Sequence, residues 1–365
     1  MGLTIEYLSE PKKVYDITVE DNHNFFANGI LVHNCQEITL PARPINHIDQ
    51  NDGQGYIATC ILSAINVGQI KSLEEMETLC DLAVRGLESI IDHQNYPLPA
   101  AESYTKDYRS LGVGFIGLAH YLAKNKVKYT DPAALQLVHE LTEAFQYYLL
   151  KASCSLAKEK GPAKKYPLTK YARGLLPIDH YKKEIDELVS PTYRMDWENL
   201  RKDIAEHGLR HCTLSAQMPS ESSSLTSNAT NGVEPPRDFI SVKKSKKGPL
   251  KQVVPEYHRL KNQYTLLWDD PMINDGYVKI MGVIQKFFDQ AISSNTSYNP
   301  EHYENKEIPT SVFARDILMA YKYGLKTLYY HNTYDGMTDE DEKPLPELEK
   351  SEEISDEEHC ESCAI

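Results

Sequence analysis

Between Gln36 and Asn332, strand-like and helix-like patterns alternate. A chain patterned this way buries its apolar faces as a sheet covered by helices, an α/β body. Apolar residues recur at three- and four-residue spacing from Ser72 to His93, Ser110 to Lys124 and Ala133 to Lys160, which predicts helices there. Val278–Ile292 and Ser311–Gly324 are amphipathic too, the second closed by Gly324 as a C-terminal cap. HCTLSAQM (His211–Met218) reads as a buried strand running into the Ser-rich loop PSESSS, and KTLYYHN (Lys326–Asn332) as a short strand. Pro162 to Tyr193, rich in Pro, Gly, Tyr and Lys, reads as irregular. No internal repeat interrupts this order.

The two ends have other textures. Residues 1–34 alternate like short strands, LTIEYL, VYDITV, the turn-rich DNHNFFANG and ILVH. From Thr338 to Glu358 there are eleven Asp or Glu against two Lys, −9 of a net charge of −14. A stretch so charged buries too little apolar surface to fold, so a disordered acidic tail is expected over 337–365.

The bulk numbers exclude several classes. Apolar content of 41% and charged content of 25% fit a soluble globular protein long enough for two or three units. The negative charge argues against a nucleic-acid surface. Seven widely spaced cysteines, an odd number, are not a secreted disulfide framework. No signal-peptide pattern and no run of about 20 apolar residues is visible, so a cytoplasmic protein without a membrane partner is expected.

Three motifs carry little. GVGFIG (Gly112–Gly117) matches G-x-G-x-x-G, but the polar SYTKDYRS before it is a poor strand for a dinucleotide fold. Its glycines are read as packing a helix start closely. KKSKKG (Lys243–Gly248) reads as a solvated loop. HCESC (His359–Cys363) lacks a second pair for zinc, so no metal site is expected, and its C-x-x-C spacing suits a redox dithiol on a flexible arm.

At the seam the chain reads ILVHNCQEITLP (Ile30–Pro41). An Asn can cyclise on its own carbonyl and cut the following bond, a neighbouring His can assist by proton transfer, and a Cys just after the bond can carry an upstream chain as a thioester. VYDITVEDNHNFFANGILVHN resembles the C-terminal segment of an intein nearly end to end. The resemblance implies that Asn34 cyclises, His33 assists, Cys35 accepts the acyl chain, and Asp16 and His23 fill the assisting Asp and His positions. An intein also needs its N-terminal half, so a split intein splicing in trans is expected, with a truncated chain as the alternative.

Beyond the seam, CQEITLPARPINHIDQNDG, ATCILSAINVG, MPSESSSLTSNATNGVEPPR, KTLYYHNT and the terminal CESCAI resemble the large subunit of class I ribonucleotide reductase. That implies the C-terminal half of a ten-stranded α/β barrel over 35–336, then a mobile redox tail. Cys35 matches the thiyl-radical cysteine, Glu37 the base that takes the 3′-hydroxyl proton, and Cys60 one of two reducing thiols. Taken alone, Cys60 would be an ordinary small core residue. Tyr329 and Tyr330 match the tyrosine pair that relays the radical from a metal-containing small subunit. Pro219, Ser220, Glu221, Ser222 and Ser223 match the loop holding the substrate diphosphate. Cys360 and Cys363 match the tail thiols, themselves reduced by thioredoxin or glutaredoxin. No cofactor is expected in this chain itself.

The pattern also has gaps. The family's Asn two residues before the radical Cys is here His33, inside the intein segment, and Tyr334 stands where many relatives have Arg. The second active-site thiol and the effector site are expected on an N-terminal half, a separate chain carrying the other intein piece. The alternative is an unspliced half that associates with that chain non-covalently; a glycyl-radical relative is disfavoured by the Tyr pair and tail dithiol.

Overall fold

The computed structural model describes residues 24–27, 30–33, 36–46, 53, 55–245 and 248–334. The chain divides into two compact units, one of Met1–Asn34 with Pro344–Ile365, the other Cys35–Lys343. Within the first, β1 (Asn24–Ala27) and β2 (Ile30–His33) pair antiparallel, Asn24 opposite His33. Asn28–Gly29 between them is a strong short-hairpin signal. NFFA is thus a strand where a turn is expected from composition. The expected strands LTIEYL and VYDITV and the expected tail lie outside the described residues.

The second unit carries β3 (Ile61–Asn66), β4 (Leu111–Ile116), β5 (Ile240–Ser245), β6 (Gly248–Val253), β7 (Thr296–Tyr298) and β8 (His331–Thr333). Its helices are α1 (Glu75–His93), α2 (Pro99–Tyr108), α3 (Leu118–Lys124), α4 (Pro132–Lys160), α5 (Trp197–His207), α6 (Glu221–Thr226), α7 (Tyr257–Leu260), α8 (Ile273–Phe287) and α9 (Thr310–Lys322). β3 runs parallel to β4 with Ile61 opposite Leu111. β4 is joined by residues 213–217 through Leu111 N–H to Thr213 O (3.0 Å) and a parallel Val113–Ser215 bridge. That segment in turn meets 290–293 through Gln290 N–H to Ser215 O (3.0 Å) and a parallel Gln217–Ile292 bridge. Finally β7 lies parallel to β8. The result is a run of parallel segments whose connections all carry helices, as parallel pairing demands.

The apolar side of this array is closed by α1, α4 and α8. Phe115 on β4 meets Phe145 of α4 at 4.4 Å between ring centroids, and Phe288, just after α8, at 5.5 Å. α4 is 29 residues long and buries seventeen of them, which makes it the central packing helix.

Several expectations change here. Residues 110–124 are not one helix: LGVGFI is a strand buried at every position and only Leu118–Lys124 is helical. A strand buried on both faces shows no alternation, so its apolar run imitates a buried helix. The glycines accordingly serve interstrand packing. A Cβ on Gly112 would come within 2.6 Å of Leu62 Cδ2 and 2.9 Å of Cys60 Sγ, and one on Gly114 within 2.6 Å of Ala216 O. SYTKDY, a poor strand by its polarity, lies in α2. α8 ends at Phe287, so the DQAI of the expected helix enters the sheet instead. Of KKSKKG, expected as a loop, Lys243–Ser245 end β5 and Gly248 opens β6, which pair antiparallel. The Ser-rich loop after Met218 winds into α6 from Glu221. Gly324 follows α9 with φ +79°, the left-handed cap its position implied.

Candidate active site

Residues 36–39 run along 290–293. Gln36 N–H donates to Ser293 Oγ (3.1 Å), Ala291 N–H to Glu37 O (2.9 Å) and Thr39 N–H to Gln290 Oε1 (3.3 Å). This strapping buries Glu37 to 1% exposure, and the Ser293 hydroxyl donates to Glu37 Oε2. A buried carboxyl with a fixed donor has a defined orientation, which a proton acceptor needs.

Cys60 stands at the start of β3. Gln290 Nε2 donates to its sulfur at 3.3 Å and to Leu111 O at 2.9 Å. Gln290 therefore joins the 36–39 strap to the cysteine through the two ends of one amide. The part-buried Cys60 thiol is pushed up to about 12. Lost hydration is the main cause; the Gln290 N–H opposes it, and the charges of Asp289 and Glu37 add to it. At neutral pH the group is a thiol, not a thiolate. Its alkylation by iodoacetamide in the native chain is expected to be slow at pH 8 and to rise about tenfold per pH unit up to pH 11. Peptide mass spectrometry of timed labelling checks this; a rate already flat by pH 9 would contradict the burial argument.

Asp289, next to Gln290, is held by Leu214 N–H (2.8 Å), Ser215 N–H (2.9 Å) and the Tyr171 hydroxyl (3.0 Å). Burial nevertheless raises its carboxyl above the usual range. These bonds lock the 213–215 and 289–293 segments together beneath the cysteine.

Tyr329 and Tyr330 enter the sheet just before β8. Tyr329 N–H donates to Ser294 O (2.8 Å) and Thr296 N–H to Tyr330 O (2.9 Å). Their rings lie 3.9 Å apart between centroids, and Tyr330 is 38% exposed. Glu37 bonds Ser293 while Tyr329 bonds Ser294, so strap and tyrosine pair share adjacent residues of one segment.

Pro219–Ser223 follow the 213–217 segment at its C-terminal end, whereas Cys60 precedes β3. The two therefore mark opposite ends of the parallel segments. Ser220 has φ +60°, and its hydroxyl is buried without a hydrogen-bond partner among the described residues. Of the other expected site residues, Asp16, His23, Asn34, Cys35, Cys360 and Cys363 lie outside the described residues, and only the backbone of His33, ending β2, is described.

Gln290, Ser293 and Asp289 are absent from the sequence-based expectation. Asp289 and Gln290 fall in a stretch that reads as the end of an amphipathic helix and Ser293 comes directly after it, so no local signal marks them.

The ribonucleotide reductase barrel-domain family matches residues 9–270 and 257–331, beginning inside the leading segment. Among similar curated proteins, the ribonucleoside-diphosphate reductase subunit alpha of Haemophilus influenzae is 56% identical over 305 residues, 84% of this chain and 40% of that protein. The one from Buchnera aphidicola of Schizaphis graminum is 51% identical over 333 residues (91% and 43%), and that of phage T4 41% identical over 319 (86% and 41%). The chain thus spans well under half the length of these relatives.

Proposed function

Since the chain belongs to the ribonucleotide reductase family, we propose that it is the C-terminal portion of a ribonucleoside-diphosphate reductase large subunit, preceded by the C-terminal segment of a split intein. The observation that carries the reading is the convergence of Glu37 and Cys60 on one segment, through Ser293 and Gln290, with Tyr329 bonded one residue further along. Residues 1–34 are the intein piece, 35–336 half of the ten-stranded barrel, and 337–365 the redox tail.

In this reading the Cys35 sulfur, as a thiyl radical, takes the hydrogen from the ribose 3′ carbon while Glu37 takes the 3′-hydroxyl proton. The 2′-hydroxyl leaves as water, and Cys60 with a second thiol on the N-terminal half supplies two electrons and becomes a disulfide. A Cys60 held as a neutral thiol suits this role, because it has both a proton and an electron to give. Ser293 fixes the Glu37 carboxyl, and Gln290 fixes Cys60 against the strap. Pro219–Ser223 hold the substrate diphosphate, and the unpartnered Ser220 hydroxyl supports that assignment. The radical reaches Cys35 through Tyr330 and Tyr329 from the metal-containing small subunit. Cys360 and Cys363 re-reduce the disulfide and are regenerated by thioredoxin or glutaredoxin.

The intein reading is supported by the break between compact units at the Asn34–Cys35 bond. Splicing releases His33 and Asn34 and leaves Cys35 at the joint, so one residue serves both chemistries. The missing half of the barrel is supported by Leu62, 43% exposed on the same strand face as Cys60.

The test has two arms. Mass spectrometry of the large subunit from cells holding both halves is expected to show a continuous peptide running into Cys35–Gln36–Glu37. An active large subunit that retains the His33–Asn34–Cys35 junction overturns splicing and favours non-covalent association. Assays of this chain with only the small subunit are expected to show no reduction of a nucleoside diphosphate; measurable turnover overturns the half-barrel reading.

A further inference from the structure

Resting on the reading of Tyr329 and Tyr330 as a radical relay, we infer that Asn295 is the positioning residue of that pair and that Glu234 sets the orientation of its amide. Parallel pairing with 294–296 takes up the Tyr329 N–H and the Tyr330 carbonyl, but it leaves the Tyr330 N–H to a side chain. Asn295 Oδ1 accepts that N–H at 2.9 Å. The other end of the amide, Nδ2, donates to Glu234 Oε1 at 2.5 Å. A flipped amide would set its oxygen against the carboxylate and its NH₂ against an N–H, so Glu234 decides which end faces the tyrosine.

Glu234 is itself anchored. Its N–H donates to Asn231 O (3.3 Å), Asn231 Nδ2 donates to Glu221 Oε1 (3.0 Å), and the Ser224 hydroxyl donates to Asn231 Oδ1 (3.3 Å). A hydrogen-bonded line therefore runs from the start of α6 to the backbone of Tyr330. Tyr330 is partly exposed, with its ring 3.9 Å from that of Tyr329. With one face of Tyr330 open to solvent, its placement depends on the backbone grip that Asn295 completes.

The test uses the assembled reductase: joined large subunit, small subunit and reductant. Asn295→Ala is expected to lower kcat about 100-fold, the loss an ångström-scale misplacement causes, with KM for the nucleoside diphosphate unchanged. Asn295→Asp keeps an acceptor for Tyr330 but sets two carboxylates face to face, so its kcat is also expected to fall. Adding Glu234→Gln restores most of it, because the Gln amide can donate to the Asp. The isotope effect with substrate deuterated at the 3′ carbon is expected to collapse toward unity in both single variants, as radical transfer becomes limiting, and to return in the double variant. A normal kcat in Asn295→Ala, or no rescue in the double variant, overturns the inference. So does a slowed variant that keeps the full isotope effect, since that is a general structural loss. An inactive assembled wild-type enzyme sinks the functional reading and this inference together; an active one with an indifferent Asn295→Ala sinks the inference alone.

Discussion

Glu37→Gln in the assembled enzyme is expected to lower turnover by about 10²- to 10⁴-fold, the range a positioned general base contributes. The change is nearly isosteric. The Ser293 hydroxyl can still donate to the side-chain oxygen that replaces Oε2, and the strap of Gln36, Glu37 and Thr39 on 290–293 uses backbone groups that the substitution leaves alone. Geometry is therefore retained while the proton acceptor is lost, so KM for the nucleoside diphosphate should move little. Steady-state kinetics on purified protein, with melting temperature as a control for folding, gives the answer. Wild-type kcat in the variant would remove Glu37 from the reaction.

The second large effect concerns stability and needs no partner. Glu88 on α1 is 1% exposed and lies at the centre of a charged cluster. Arg109 Nε (2.8 Å) and Arg210 Nε (2.8 Å) donate to its carboxylate, and His211 Nε2 lies 3.1 Å away. The other nitrogen of His211 faces the Ser153 hydroxyl at 2.9 Å. One carboxylate thus ties together α1, the end of α2, α4 and the approach to the 213–217 segment. Glu88→Ala leaves Arg109, itself 5% exposed, with Asp92 as its remaining ion pair. Breaking a buried pair by removing one partner costs about 3–5 kcal/mol, which in a chain of this size corresponds to a fall of about 5–8 °C in Tm. Urea unfolding of the chain at pH 7 measures it, and a loss below about 1 kcal/mol would mean that the cluster is not a structural tie.

The cluster also predicts a pH dependence. Burial alone would raise the Glu88 carboxyl, but hydrogen bonds from His211, Arg109 and Arg210 outweigh it and hold the group well below the usual range. A depressed carboxyl stabilises the fold above its unfolded pKa of about 4.3 and loses that contribution as pH falls toward the folded value. The gap between wild type and Glu88→Ala should therefore narrow in acid.

Much of this was legible in the chain. The long helix α4 and the capped helix α9 announced themselves by three- and four-residue apolar spacing, and Gly324 took the left-handed cap its position implied. Cys60, Glu37 and the Tyr pair are singled out only by the motifs that contain them. β4 was misread because a strand buried on both faces has the composition of a helix core, and its glycines were misassigned with it. α2 was missed because its helical character rests on buried Tyr104 and Tyr108, which a polar-looking SYTKDY conceals.

By itself, the sequence determined the elements whose signal is local: periodic helices, a cap, an acidic stretch, and reactive residues in recognisable strings. What only the tertiary structure decided is which distant groups meet. Gln290 lies 230 positions from Cys60 and Ser293 lies 256 from Glu37, yet each pair is in hydrogen-bond contact. Those contacts come from the parallel pairing of segments far apart in the chain. Its register is set by burial across the whole sheet, so no window of neighbouring residues contains it.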